Sequence, residues 1–133
     1  MPHFSRISRE RLLTCDSRII TVCSEVIGFY DFSVLCGHRG EAAQNAAYAN
    51  HHSQLRWPHS LHNTYPSLAI DLAPWPIDWD DLYRFHELAG AMLYVARSKG
   101  IEMEWGGHWP RFKDLPHFQV PPRTDTLTGR VSA

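Results

Sequence analysis

The sequence predicts an α+β fold, a single domain spanning residues 1–133 in which a small, mainly antiparallel sheet packs against helices. Three observations carry this reading. Short stretches with two-residue alternation (31–37, 67–72, 101–105, 117–120) read as strands, because successive side chains of a strand point to opposite faces. Two longer stretches repeat their apolar residues at helical spacing instead. The connections between them are too varied for regular βαβ units, which favours an antiparallel arrangement.

Residues 1–15 form an arm with a short helix over 9–13, for which Ser8 is the expected cap. Asp16 is placed to cap a second helix, in which Ile19, Ile20, Cys23, Val26 and Ile27 make the apolar stripe and Gly28 the stop. In the strand at 31–37, Val34 and Cys36 oppose Leu35 and Gly37. A turn at His38-Arg39-Gly40 leads into an alanine-rich helix over 41–49. Regular structure then gives out from 50 to 66, a length at which ordered loops tend to be functional. On the next strand Ile70 and Leu72 face one side, Ala69 and Asp71 the other. The longest helix is expected to start at an Asp78 cap with Asp80 and Asp81 in its first turn. Leu82, Phe85, Ala89, Leu93 and Ala96 form its buried stripe, and Gly100 ends it. The polar, proline-led residues 121–133 read as a flexible tail.

Composition narrows the function classes. Hydrophobic content of 44% with 20% charged residues describes an ordinary globule. A net charge of −1 argues against a nucleic-acid partner, and the four arginines near the N-terminus (Arg6, Arg9, Arg11, Arg18) read as a solvated helix face. Cys15, Cys23 and Cys36 make no CxxC pair and are expected to pack as small reduced hydrophobes. With no signal segment and no apolar run long enough to span a bilayer, the chain is expected to be made in a reducing cytosol.

Chemistry concentrates in two places. In the stretch 104–120, two tryptophans flank Gly106-Gly107, and Asp114 and His117 stand either side of Pro116. Proline pushes Leu115 toward extended geometry, so Asp114 and His117 cannot share a helical turn. Asp114 is expected on a turn and His117 on the polar face of a strand whose other face carries Phe118 and Val120. Most of the nine histidines read as bland, and three positions are aimed by their local geometry: His62 just before a strand, Asp71 on that strand's polar face, and His117. Two imidazoles and a carboxylate with a fourth position open make a common catalytic zinc set. His59 competes with His62, and His108 with His117. On the residues alone Arg39 reads as a turn arginine paired with an acid, and Asp114 as either a turn residue or a base.

Ser60-Leu61-His62, Ala69-Ile70-Asp71, Trp105-Gly106-Gly107 and Asp114-Leu115-Pro116-His117-Phe118 together resemble the M15 zinc peptidases, and within them the small phage endolysins of the L-alanyl-D-glutamate peptidase type. Cys36-Gly37-His38-Arg39 with Gln44 resembles that family's glycine-aromatic-arginine segment and the glutamine after it. The resemblance implies one Zn²⁺ per chain held by His62, Asp71 and His117, with Asp114 as general acid/base and Arg39 steadying the oxyanion. It assigns Ser60, Gln44, Trp105 and Trp109 to the substrate side, the tryptophans as core and cleft wall. The implied substrate is the peptidoglycan stem peptide, cut between L-Ala and D-Glu by a monomer that reaches the wall with a separate holin-type helper. Such chemistry is coherent: zinc makes a water acidic enough to attack at neutral pH, a carboxylate moves its proton, and a guanidinium meets the developing charge.

Several positions depart from the family pattern. Residues 63–68 lengthen the usual spacing between the loop histidine and the strand aspartate, and the glycine expected in that turn is missing. His108 stands where relatives often carry an acid, and His38 where they carry an aromatic residue. These changes bear on the groove and hence on which bond is cut. A D-Ala-D-Ala carboxypeptidase or dipeptidase on the same metal site, and a non-catalytic zinc-containing wall-binding module, are the alternatives.

Overall fold

The computed structural model describes residues 2–125 and 130–131. Its centre is a four-stranded sheet in the order β1-β2-β4-β3, formed by β1 (Phe32–Cys36), β2 (Ala69–Pro74), β3 (Glu104–Trp105) and β4 (His117–Gln119), with every neighbouring pair antiparallel. The helices are α1 (Arg6–Leu12), α2 (Ser17–Val26), α3 (Glu41–Ala49) and α4 (Leu82–Ser98). The α+β expectation and the antiparallel sheet hold.

Alternation explains how the sheet divides its two faces. Ile70 and Leu72 of β2 and Phe118 of β4 are fully buried in one cluster with Ile19, Val22 and Val26 of α2 and Leu88, Met92 and Val95 of α4. Burying a side chain of this size stabilises by about 1.5–3 kcal/mol, so this two-layer core is what holds the sheet flat against α2 and α4. The opposite face carries Asp71 and His117.

Four local expectations need correction. Helix α1 begins at Arg6 and is capped by Ser5, whose side chain accepts from the Ser8 amide at 3.1 Å. Ser8 is instead buried, its hydroxyl accepting from the Val34 amide at 3.0 Å, while Arg11 donates to the Val34 carbonyl at 3.0 Å. The N-terminal segment therefore closes the outer edge of β1, whose unpaired backbone groups would otherwise face solvent. Helix α4 starts later than expected, at Leu82 after an Asp81 cap. Asp78 forms a turn of its own by accepting from the Asp80 amide at 3.0 Å. Its buried stripe is Phe85, Leu88, Ala89, Met92, Val95 and Ala96; Leu82, the first residue of the helix, is exposed and Leu93 only partly buried. The strand expected over 101–105 is reduced to Glu104–Trp105.

The cap at Asp16 holds as expected. Its side chain accepts from the Arg18 amide at 2.9 Å and also meets the guanidinium groups of Arg18 at 2.9 Å and Arg123 at 3.0 Å. Gly100, at φ +67°, takes the left-handed conformation that ends α4. Much of the tail expected over 121–133 lies outside the described residues. Within them, Pro121 accepts from Arg18 at 2.7 Å and Thr124–Asp125 pairs with Arg130–Val131.

Asp16 generates a stability prediction. Burial alone would raise its carboxyl, but the Arg18 and Arg123 partners outweigh burial and hold it below 3.8. A depressed folded-state value means that the stabilisation is complete above the unfolded value and fades as pH falls through the folded one. Asp16→Ala should cost about 1–3 kcal/mol at neutral pH, the range for a lost cap with charge-assisted bonds. Thermal melts of both proteins between neutral and strongly acidic pH should show the gap closing in acid; a gap that stays constant there would exclude the charged cap as its source.

Candidate metal centre and active site

The polar face of the sheet carries a row of side chains set by strand register. Asp71 of β2 stands opposite His117 of β4 on one side and Cys36 of β1 on the other. The β1–β2 register shifts between Val34 and Cys36, leaving Leu35 over in a bulge. Two-residue alternation would have put Cys36 on the core face with Val34. The bulge turns it to the Asp71 side, as bulges re-aim side chains in general. Cys36 is thus no inert hydrophobe: its sulfur and ligand atoms of His62 and Asp71 all lie within 4.8 Å of one another, a group that could hold a metal ion. This is the residue that simple alternation missed.

His62 enters from the loop. Ser60 and Asn63 form a capping box around the short 3-10 turn Leu61–Asn63, and the Arg39 amide donates to the His62 carbonyl at 2.7 Å. The ring is buried, and its Nδ1–H donates to the Gly37 carbonyl at 2.8 Å, which leaves Nε2 as the nitrogen turned toward Asp71. Nε2 is 3.3 Å from Asp71 Oδ1 yet makes no hydrogen bond of acceptable geometry, an orphaned buried atom. His117 Nδ1 reaches the same Oδ1 from the other side at 3.2 Å. A buried nitrogen that faces a carboxylate without bonding to it, beside a second imidazole and a thiol, fits a cation between them. His59, the competing loop histidine, is exposed and takes no part in this cluster.

Arg39 and Asp114 complete the surroundings. The Arg39 guanidinium donates to Asp71 Oδ2 at 3.4 Å and to Gln44 Oε1 at 3.0 Å. Asp114 Oδ2 is 4.0 Å from His117 Nδ1. Gly106 makes that approach possible: its carbonyl accepts from the Asp114 and Trp109 amides, and a Cβ on it would meet the Asp114 carbonyl oxygen and come within 2.9 Å of Asp114 Cβ. Gly107 likewise has the Trp105 ring where a Cβ would be.

A cleft of about 370 Å³ opens over this face. Its lining includes Arg39, Ser60, His62, Asp71, Trp109, Arg111, Phe112, Asp114 and His117. Among the described residues, Gln44 and Trp105 do not line it. Gln44 is fully buried and ties the loop together, donating to Ser53 Oγ and the Leu55 carbonyl while accepting from Arg39 and Asn63. Trp105 is buried, donates to the Leu115 carbonyl at 2.8 Å, and lies edge-on between the rings of His86 and His108. His38 bonds the Thr64 carbonyl at 2.9 Å, anchoring the lengthened segment before Asp71.

The charges sort themselves by neighbour. Burial opposes ionisation of Asp71, but hydrogen bonds and positive charge from His117 and His62 win and hold its carboxyl well below the usual range. Burial likewise opposes a charged His62, yet Asp71 and Cys36 push that imidazole up to about 10. Burial would raise the Cys36 thiol, and the hydrogen bond and charge of His62, with help from Arg39, lower it instead. Asp114 moves the other way: burial and the negative charge of Asp71 raise it.

A cleft over a sheet-borne cluster of imidazole, carboxylate and thiol that could hold a metal ion, with a separate raised carboxylate beside it, makes this face the candidate active site. The family described as phage L-alanyl-D-glutamate peptidase matches residues 2–120. The L-alanyl-D-glutamate peptidase of Escherichia phage T5 is 31% identical over 112 residues, covering 80% of each chain. The peptidoglycan L-alanyl-D-glutamate endopeptidase CwlK of Bacillus subtilis (strain 168) is 38% identical over 69 residues, 47% of this chain and 40% of that one. Among solved structures, the L-Ala D-Glu endopeptidase ChiX of Serratia marcescens superposes with a TM-score of 0.78 at 30% identity, covering 90% of both chains. The chain belongs to the phage L-alanyl-D-glutamate peptidase family, and it is a peptidase.

Metal uptake should be linked to protons. Nε2 of His62 can bind a cation only as a free lone pair, and the raised value means that the metal-free protein holds a proton there near neutral pH. Binding should therefore release about one proton per ion from this imidazole, and affinity should climb with pH up to about 10. Calorimetric titration with zinc in two buffers of different ionisation heat counts those protons; identical heats in both buffers would exclude the linkage.

Proposed function

We infer that this chain is a zinc-dependent peptidoglycan endopeptidase that hydrolyses the L-Ala–D-Glu bond of the murein stem peptide. The carrying observation is the family match across residues 2–120, joined to a cluster centred on Asp71 that fits a metal. In this reading His62 through Nε2, the Asp71 carboxylate and His117 through Nδ1 would hold the ion, with Cys36 beside them. When bound, zinc supplies Lewis acidity to the scissile carbonyl and to the attacking water.

The chain's own groups do the rest. Asp114, half-buried and with its carboxyl raised, is suited to accept a proton from the attacking water and return it to the leaving amine. Arg39 is held by Asp71 and Gln44, so its guanidinium is pre-oriented for charge that develops on the carbonyl oxygen. Trp109, Ser60 and Phe112 give the cleft walls against which a peptide can lie. Gln44 acts through Arg39 and the loop rather than on substrate, and Trp105 supports the floor.

Among the described residues no helix is long and apolar enough to cross a membrane. We propose that the chain works as a monomer on the cell wall and that a separate holin-type protein gives it access.

Two outcomes test this reading. Digestion of purified murein followed by end-group labelling should expose new D-Glu amino termini. Released D-Ala would instead indicate the carboxypeptidase alternative, and no cleavage by the zinc-loaded protein at any pH would point to the wall-binding one. Asp114→Asn should keep zinc while cutting the rate of hydrolysis about 10²–10⁴-fold, the usual contribution of a positioned acid/base. Metal content and single-turnover rates measured on the same preparation check this, and a variant that cleaves at the parental rate removes Asp114 from the reaction.

A further inference from the structure

We propose that Gln119 and Glu104 are positioning residues that lock His117 in the ring tautomer whose Nδ1 is free to bind the metal; this rests on the zinc reading above. The geometry is a chain of three hydrogen bonds. Gln119 Oε1 lies 2.7 Å from His117 Nε2, Gln119 Nε2 donates to Glu104 Oε2 at 2.9 Å, and the Trp109 indole N–H donates to the same Oε2 at 3.0 Å. Register supplies the alignment: Glu104 and Gln119 are cross-strand partners on β3 and β4, and Gln119 follows His117 by two residues, so both share the polar face.

Donor and acceptor counting fixes the Nε2 end of the ring. An ionised Glu104 can only accept, so it draws the NH₂ of the Gln119 amide toward itself. The amide oxygen is then turned to His117 Nε2, and that nitrogen must carry the proton. The reverse amide orientation would set its oxygen against the Glu104 carboxylate. Nδ1 itself bonds Asp71 Oδ1 at 3.2 Å; with Nε2 kept protonated, Nδ1 is the nitrogen that can give up its proton and offer a lone pair to an ion. Glu104 thereby governs a nitrogen it never touches, by way of one amide. The same carboxylate anchors Trp109, whose ring lies 5.0 Å from that of His117 and lines the cleft. Partners of this kind usually change metal affinity about 10–100-fold when removed.

The experiment uses the full chain and two readouts. Zinc affinity, measured by competition with a chromophoric chelator, should weaken about 10–100-fold in Gln119→Ala and in Glu104→Gln. The double swap Glu104→Gln with Gln119→Glu puts the carboxylate next to His117 and the amide behind it; it preserves an acceptor facing Nε2 and should restore affinity. Ring ¹⁵N spectra of the metal-free proteins should show Nε2 protonated in the parent and the double swap, whatever the state of Nδ1 against Asp71, and partial loss of that proton in Gln119→Ala. The spectra need no metal, so they judge the lock even if zinc is the wrong ion. Parental affinity together with an unchanged tautomer in Gln119→Ala overturns the proposal, as does failure of the double swap to recover either readout.

Discussion

The strand register that sets Cys36, Asp71 and His117 side by side is the constraint on which the rest of the site depends. Each comes from a different strand, and a slip of one residue in either pairing would send one of these side chains to the core face. The register is held from the other side of the sheet, where Ile70, Leu72 and Phe118 can be buried against α2 and α4 in one phase only. The apolar core therefore specifies the polar face without touching it. Among the described residues of this sheet, the bulge at Leu35 is the one place where the phase is broken, and it is there that Cys36 crosses over. Helix α1 braces this spot: its Ser8 and Arg11 side chains take up the outer backbone groups of Val34, and its C-terminal end lies where a Cβ on Gly37 would have to go.

The loop histidine is positioned by a different device. No strand carries His62, so hydrogen bonds do the work: the Ser60–Asn63 capping box, the Arg39 amide on the His62 carbonyl, and the Gly37 carbonyl on Nδ1. Gln44 is the centre of that network, joining α3, the 53–55 loop, Asn63 and Arg39 from a fully buried position. A buried amide with its donors and its acceptor all engaged rigidifies what surrounds it. The histidines on the two sides of Asp71 thus end with opposite ring nitrogens facing it, Nε2 from His62 and Nδ1 from His117, each fixed by an acceptor outside the cluster.

Much of this was legible in the sequence because it follows from short periods. Alternation around Asp71 and His117 gave the faces of β2 and β4, Asp16 announced α2, and Pro116 required Asp114 and His117 to leave helical geometry. What alternation could not show was tertiary in origin. The bulge depends on how β1 meets β2 and α1, so Cys36 read as a core residue. Asp78, Asp80 and Asp81 all look like caps, and only the turn closed by Asp78 decides among them. Gln44 and Trp105 occur in recognisable motifs, but a motif does not say whether a side chain faces the cleft or supports the groups that do.

Asp71 and Asp114 make the chemical division of labour explicit. They are the same residue type on one small face, separated by His117, and their carboxyls are driven in opposite directions. Asp71 lies among Arg39, His62 and His117, so positive charge and hydrogen bonds overcome its burial and keep it an anion, the form the proposed metal role would require. Asp114 is raised by its burial and by the negative charge of Asp71, and that brings a carboxyl toward the range where it can both take and give a proton at neutral pH. A cation between His62 and Asp71 would neutralise part of that negative charge and so draw Asp114 partway back down. The base would then be ready to accept a proton when the site is loaded. One buried anion thus serves both ends of the proposed chemistry, holding the ion directly and tuning the acid/base across the His117 ring.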